Sequence, residues 1–194
     1  MRINEIITES AGKYVYRIDS EHISDFGQDL KTYYHNKDFT VSGRSDFKGS
    51  VGKIQGVYAS DLLFTALYAT GSSEGPKRTR YVAIYGPGQP IVYFDRKDVP
   101  RIRKNRAWLT VFDAKNFRKL PSGEYFSENP GKPVQQKEIT DPFQYMRDRG
   151  WEFRIVDNLD AELKKIKKLH DDQIKKGVPE NQQIRFGAEG MGYD

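Results

Sequence analysis

A chain of 194 residues is long enough for one sizeable domain and short for two. It contains no cysteine, which excludes disulfides and thiolate metal sites, and its three histidines are scattered, so we expect no metal site. No apolar run approaches the roughly 18 residues that a membrane span needs, and no secretory signal is evident, so we expect a cytoplasmic protein. The formal net charge of +5 favours an anionic partner such as a nucleic acid or a dinucleotide.

The first third of the chain alternates between patterned and polar stretches. Residues 1–13 form a polar leader. Residues 14–18 are aromatic and β-branched, which predicts a strand. From residue 20 to residue 33 apolar side chains recur at three- and four-residue intervals, which predicts a helix capped by Ser20. Residues 36–55 are polar and contain three glycines, and we expect them to form a loop that closes over a ligand.

The middle of the chain predicts several strands and one helix. A short strand at 56–60 leads into an apolar helix at 61–69, and residues 113–120 predict a turn or a single helical turn. Residues 96–106 include six basic side chains, which we interpret as a solvated connection between two strands. The remaining strands are predicted over residues 80–85, 90–94, 107–112, 124–127, 134–139 and 151–156.

The last part of the chain predicts two helices and a tail. Residues 141–149 form the first helix, which ends at Gly150, and residues 159–176 form a lysine-rich second helix that keeps its apolar residues on one face. We expect residues 178–194 to be a flexible, glycine-rich tail. No repeat or internal boundary is evident, so the sequence predicts a single domain over residues 14–177.

One stretch resembles a known signature. The run Gly56-Val57-Tyr58-Ala59-Ser60, followed by an apolar helix that contains Tyr68, is similar to the second signature of the ADP-ribosyltransferase (ART) superfamily. The resemblance implies that Tyr58 and Tyr68 pack the nicotinamide ring of NAD, and that Ala59 and Ser60 line the same site.

The other two signatures of the superfamily have candidates in the same chain order. Arg17, beside Tyr16 on the first strand, resembles the arginine that holds the phosphates or ribose of NAD, and its planar fork suits phosphate. Glu124 opens a late strand, as the catalytic glutamate of the family does. Glu138 is the alternative, because Gln136-Lys137-Glu138 resembles the Gln-x-Glu loop of toxin-type transferases.

A further pair, Gly43-Arg44, stands ahead of the tyrosine strand as a Gly-Arg pair does in NAD-degrading toxins of this fold. The resemblance therefore adds Arg44 to the residues that would bind NAD. The polar leader, which begins Arg-Ile-Asn-Glu-Ile, is similar to that of bacteriophage-encoded proteins.

The resemblance implies an α+β fold, an ART-like split core of two small, mostly antiparallel sheets with flanking helices. It implies an NAD-dependent mono-ADP-ribosyltransferase, with NAD as its substrate, no metal, and a protein or nucleic acid of the host as acceptor. Three alternatives remain. The first is a non-catalytic structural or interaction protein of this fold, such as a virion component. The second is an NAD-degrading glycohydrolase, and the third is a nucleic-acid binder that uses residues 96–106.

Overall fold

The computed structural model describes residues 12–19, 22, 57–71, 79–120 and 123–189. The chain divides into two compact units, Met1–Thr65 with Trp108–Glu138 and Ala66–Ala107 with Ile139–Asp194. It passes from one unit to the other inside a helix and within one residue of a strand end, never in a loop. Since no polar linker marks these crossings, the sequence predicted a single domain.

The first unit contains two three-stranded sheets. In each sheet the middle strand separates the other two, in the orders β1-β5-β8 and β2-β7-β6. Those strands are β1 (Tyr14–Asp19), β5 (Ala107–Asp113), β8 (Gln135–Ile139), β2 (Val57–Ala59), β7 (Tyr125–Ser127) and β6 (Arg118–Lys119). The two sheets are joined where the main chains of Tyr16 and Ser60 exchange hydrogen bonds of 3.0 and 2.7 Å.

Alternation along these strands builds the core of the first unit. Val15 on β1, Val57 and Ala59 on β2 and Phe112 on β5 are buried together. Each fully buried valine or phenylalanine contributes roughly 1.5–3 kcal/mol relative to an exposed one. The cluster therefore fixes which face of each strand points inward, and so fixes the outward face as well.

The second unit contains a four-stranded sheet with helices. Its strands lie in the order β10-β3-β4-β9, antiparallel except for the parallel pair β4–β9. They are β3 (Tyr81–Tyr85), β4 (Ile91–Asp95), β9 (Glu152–Val156) and β10 (Arg185–Glu189). The α-helices of the described residues are α1 (Leu62–Tyr68), which begins in the first unit and ends in the second, α2 (Val99–Lys104), α3 (Pro142–Asp148) and α4 (Leu159–Lys175).

The long helix α4 packs on the sheet of the second unit through its apolar face. Leu159, Leu163 and Ile166 are buried against Val82 and Tyr93. The side chain of Asn158 caps this helix by accepting a hydrogen bond of 2.9 Å from a first-turn amide. None of the helices within the described ranges has the length and apolar character that crossing a bilayer requires.

Most of the predicted elements are confirmed. A mixed α+β fold with small, mostly antiparallel sheets is present. The strand at 14–18 and every strand predicted from residue 80 onwards lie within two residues of their expected bounds. The same is true of every helix predicted from residue 61 onwards. The described part of the chain has three sheets instead of two. Residues 1–11 of the predicted leader over 1–13, the predicted helix from Ser20 to Tyr33 apart from His22, and the predicted loop at 36–55 fall outside the described residues.

Three segments differ from what the sequence predicted. Within the expected tail, Arg185–Glu189 forms strand β10, because the open edge of β3 supplies hydrogen-bond partners and Phe186 packs beside α4. The basic connection contains a 3-10 helix, Arg96–Asp98, and helix α2. The segment 113–120 forms a 3-10 helix, Ala114–Asn116, as expected, and also the two-residue strand β6. Strand β6 and helix α2 are too short to show periodicity, and β10 lies in a glycine-rich segment.

Asp95 ends β4 and caps the 3-10 helix that follows. Its carboxylate accepts a hydrogen bond of 3.1 Å from the backbone amide of Lys97 and lies 3.2 Å from the ammonium of the same residue. Burial by itself would raise the pKa of this carboxyl, but the contacts with Lys97 more than offset it, so the pKa of Asp95 lies below its ordinary value. Because the pKa is depressed in the folded state, the stabilisation is present above the ordinary aspartate pKa and is lost as the pH falls through the folded-state pKa.

We predict that Asp95→Asn lowers the free energy of unfolding by about 1 kcal/mol at neutral pH, because the amide keeps an acceptor for the cap but loses the attraction of Lys97. Urea unfolding over a range of pH measures this difference. It should shrink as the pH falls below the ordinary aspartate pKa and through the lowered pKa of Asp95, because Asp95 itself then becomes protonated. The control is Asp157→Asn, which removes an exposed partner of Arg96 and should change stability much less. A difference for Asp95→Asn that stays constant with pH would contradict the assignment.

Candidate active site

The β2–β7–β6 sheet presents a row of three side chains on one face. Tyr58, Phe126 and Arg118 are direct partners across the three strands, so their side chains project from the same face. The ring centroids of Tyr58 and Phe126 are 5.0 Å apart, and the guanidinium carbon of Arg118 lies 5.4 Å from the centroid of Phe126. Aromatic and cation–π attractions act at these distances. Phe126 is 1% exposed, and the Tyr58 ring and the Arg118 guanidinium pack against its ring from either side.

Glu124 lies on the same face as Tyr58. The register pairs Ala59 with Tyr125, so the next step of the ladder puts Glu124 opposite Ser60. Because side chains alternate along a strand, Glu124 and Ser60 belong to the face of Tyr58, whereas Ala59 and Tyr125 face the core. The sequence-predicted tyrosine and acid thus come together on neighbouring strands.

The turn before β7 fixes the main chain of Glu124. Its carbonyl oxygen accepts a hydrogen bond of 2.7 Å from the amide of Leu120, and the amide of Gly123 donates back to the carbonyl of Leu120 at 2.9 Å. Gly123 has a φ of 88°, a conformation that other residues adopt at a cost. A turn that depends on glycine therefore fixes the backbone position of Glu124, immediately before strand β7.

Arg17 is held in a chain of polar contacts that crosses the β1-β5-β8 sheet. Its Nε donates to a carboxylate oxygen of Asp19 at 2.5 Å, and its Nη1 donates to the main-chain carbonyl of Tyr58 at 3.3 Å. The other carboxylate oxygen of Asp19 accepts from the Thr110 hydroxyl at 3.1 Å, and the Gln136 amide donates to that hydroxyl at 3.1 Å. The Asp19 side chain is 4% exposed, so this ion pair is shielded from solvent on the aspartate side.

Arg17 and the Tyr58 ring project from opposite faces of the paired strands. Tyr16 and Ser60 are a cross-strand pair, so they share a face, and this is the face of Tyr58. Arg17, one residue further along β1, points to the other side together with Val15, whose side chain lies in the core. The arginine therefore reaches the carbonyl of Tyr58 and not its ring.

The alternative acid, Glu138, stands on another sheet. It is exposed on β8, two residues after Gln136, and alternation gives both residues the same face. Since Gln136 contacts Thr110, Glu138 shares its face with Arg17. The structure thus groups Glu124 with Tyr58, and Glu138 with Arg17.

The remaining residues of the predicted site differ in exposure. Tyr16, Ala59 and Ser60 are all less than 9% exposed, so they contribute main chain and packing more than accessible side chains. Tyr68 is the last residue of α1, belongs to the second unit and is 41% exposed. Arg44 lies outside the described residues.

A pocket of about 390 Å³ opens beside the row, at the Phe126–Arg118 end. Its volume falls at the lower end of the range of small-molecule sites. Cationic, amide and aromatic side chains together line it: Lys115, Asn116, Phe117, Arg118, Phe126, Ser127, Glu128 and Asn129. Sequence reasoning missed Arg118, because a strand of two residues shows no alternation; the basic pair Arg118-Lys119 before a glycine turn was the available signal.

Lys115 contributes a partly compensated charge to this pocket. Its ammonium and its backbone amide both contact Asp113, at 3.0 Å each, and hold the pKa of the Asp113 carboxyl below its ordinary value. Asp113 therefore stays ionised and offsets much of the charge of Lys115. Arg118, whose guanidinium carbon lies over the ring of Phe126, is the second cation that lines the pocket.

The chemical reach of the site follows from these side chains. Within the described ranges, no group of three or more histidine, aspartate or glutamate side chains is positioned to hold a metal ion. Comparisons with protein-family models, with curated proteins and with solved structures found no match. One face of the β2–β7–β6 sheet thus carries aromatic rings, a carboxylate and a cation, which are groups that can bind a ring, a hydroxyl and an anion.

We predict that Asp19→Asn lowers the free energy of unfolding by about 3 kcal/mol, because it leaves Arg17 without its carboxylate in a shielded position. Urea unfolding at neutral pH measures the change. The matched control is Glu152→Gln, which removes the carboxylate of a pair with Arg154 that is half exposed, and it should cost much less. Equal losses in the two variants would show that the Arg17–Asp19 pair does not hold the unit together.

Proposed function

We propose that this protein is an NAD-dependent mono-ADP-ribosyltransferase that acts through Tyr58 and Glu124. The observation that carries the proposal is the strand pairing that brings both residues, which lie far apart in the chain, to one face of the β2–β7–β6 sheet. The resemblance of residues 56–68 to the second ART signature supports the same function. The comparisons found no relative from which an activity could be transferred, so the proposal rests on the site.

The reaction places specific demands on such a site. The bond between the nicotinamide nitrogen and C1′ of the ribose breaks, and its electron pair leaves with neutral nicotinamide. Positive charge then develops on C1′ and the ring oxygen of the ribose. An acceptor nucleophile adds to C1′ and gives up its proton. A fixed carboxylate near the ribose stabilises the developing charge, and this is commonly the largest single term in such catalysis.

The side chains of the tyrosine face have matching roles. Tyr58 packs the nicotinamide ring, as its half-buried position on Phe126 allows. Glu124 binds a ribose hydroxyl and stabilises the positive charge. Ser60 and Tyr16 hold strands β2 and β1 together through their main chains, so that the tyrosine is presented on a rigid strand.

Arg17 takes a positioning role in this proposal. The family resemblance assigned it to the phosphates or ribose of NAD, but its charge is compensated by Asp19 and its side chain projects away from the Tyr58 ring. Its hydrogen bond to the Tyr58 carbonyl ties β1 to β2. We therefore assign Arg17 to the support of the tyrosine strand and not to direct contact with NAD.

Release of nicotinamide from NAD by the purified protein tests the proposal. We predict that Glu124→Gln lowers kcat about 100- to 1,000-fold, because the amide keeps the shape but not the charge. Glu138→Gln is the matched control and should stay within about twofold of wild type, since Glu138 lies on another sheet. Tyr58→Phe should retain most of the activity and Tyr58→Ala should lose it. Thermal unfolding of each variant establishes that it is folded.

The outcomes separate the alternatives. If only Glu138→Gln abolishes activity, the catalytic acid is Glu138, on the face of Arg17, and not Glu124. Release of free ADP-ribose at the rate of nicotinamide, with none attached to macromolecules of a bacterial lysate, would make the protein a glycohydrolase. No release in the presence of that lysate would overturn the enzymatic proposal.

A further inference from the structure

The net positive charge of the chain is concentrated in the segment that contains helix α2. Residues 96–106 carry six basic side chains and one acid, Asp98, so their formal charge of +5 equals that of the whole chain. The acidic and basic residues of the rest of the chain therefore balance. The exposed positions of this segment are five of its basic residues and Pro100. Because it has no exposed apolar face, the segment suits a polyanion better than a lipid surface or a protein partner.

Two cations of this segment are not paired with an acid. Arg96, Lys97 and Arg101 each lie within 3.3 Å of an aspartate oxygen. Arg103 and Lys104 are exposed at the C-terminal end of α2, and among the described residues no side-chain hydrogen bond or ion pair holds either of them. Their charges can therefore bind an anion without first giving up a partner within the protein.

The same end of α2 lies beside an exposed aromatic ring. The Asn105 side chain donates a hydrogen bond of 2.9 Å to the carbonyl of Ala69, which ties the residue after α2 to the residue after α1. Tyr68 precedes Ala69 and is 41% exposed. Gly71 provides a second close approach, because a Cβ atom there would lie 3.3 Å from a guanidinium nitrogen of Arg101. The exposed ring thus lies at the end of α2 that carries the two unpaired cations.

Helix α2 and helix α4 lie on opposite sides of the four-stranded sheet. Phe143 of α3 packs against Phe94 and Phe153 of the sheet, and α2 packs beside α3. Helix α4 packs against Tyr93, which precedes Phe94 on β4 and therefore points to the other face. The exposed lysines of α4 thus form a separate cationic surface in the same unit, which provides a control.

We propose that Tyr68, Arg103 and Lys104 form a binding surface for single-stranded nucleic acid. The two cations bind backbone phosphates, and the tyrosine ring stacks on a base. A duplex keeps its base faces covered, so an exposed ring favours a single strand. The surface uses neither Tyr58 nor Glu124, so this proposal does not rest on the proposed function.

Fluorescence anisotropy with a labelled oligothymidylate of about ten residues tests the proposal. We predict that Arg103→Gln/Lys104→Gln weakens binding at least about tenfold at about 50 mM salt. This double variant should also reduce the slope of log Kd against log salt concentration by about 1.4, because each phosphate contact of a single strand contributes about 0.7.

The matched control is Lys164→Gln/Lys168→Gln, which removes the same charge from exposed positions of α4. Its binding should stay within about twofold of wild type, because these lysines lie on the other side of the sheet and contact no phosphate. Tyr68→Ala should weaken binding about fivefold or more, as the loss of one base stack does. Tyr68→Phe keeps the ring and should stay within about twofold.

The possible results decide between this surface and other roles of the same residues. Equal losses in the two double variants, or no binding of the oligonucleotide to folded wild type, would overturn the proposal. Displacement of the oligonucleotide by polyglutamate at equal charge would show a site for any polyanion and would also overturn it. A lower Tm of Arg103→Gln/Lys104→Gln with unchanged binding would assign the two cations to the stability of α2 alone. Nicotinamide release is measured separately, so either proposal can fail without the other.

Discussion

The shielded carboxylate of Asp19 is the contact on which the first unit depends. It accepts from Arg17 on its own strand and from Thr110 on the neighbouring strand, and Arg17 continues the connection to the carbonyl of Tyr58. The Asp19 and Arg17 side chains together thus link three strands that belong to two sheets. A buried charge is stable only when it is paired and hydrogen-bonded. Removing any one of these side chains therefore leaves the remaining polar groups buried without a partner, which lowers the stability of the fold.

That linkage determines how the candidate site is presented. With β1 held on β2, the exchange of main-chain hydrogen bonds between Tyr16 and Ser60 sets the register, and the register sets the face from which Tyr58 projects. Phe126 then supports the tyrosine on one side and Arg118 on the other. The hydrogen bonds of Arg17, Asp19 and Thr110 hold together the strands that carry the site, and such support keeps a binding surface rigid.

The sequence pattern predicted most elements, including the three-residue strands β2 and β7, and failed where a segment shows no period of its own. The strand at 14–18 and helix α4 have enough residues for alternation or a 3.6-residue period to show. Strand β6 has two residues and α2 has six, so neither displays a period, and β10 exists because β3 offers it an open edge. The glycines that made residues 178–194 resemble a tail do not prevent pairing, because main-chain hydrogen bonds need no side chain.

The sequence by itself determined the candidate residues and their order: an arginine on the first strand, a tyrosine on the second and a glutamate at the start of a late strand. Only the tertiary structure decided which of them can act together. Successive side chains of a strand point to opposite faces of the sheet, so a shift of one residue in register moves every side chain of the strand to the other face. The register puts Glu124 on the face of Tyr58, whereas Arg17 lies on the opposite face and pairs with Asp19. It also aligns Arg118 with Tyr58 and Phe126, on a strand that is too short for its sequence pattern to predict. Face and register depend on contacts between distant segments, which no local pattern contains.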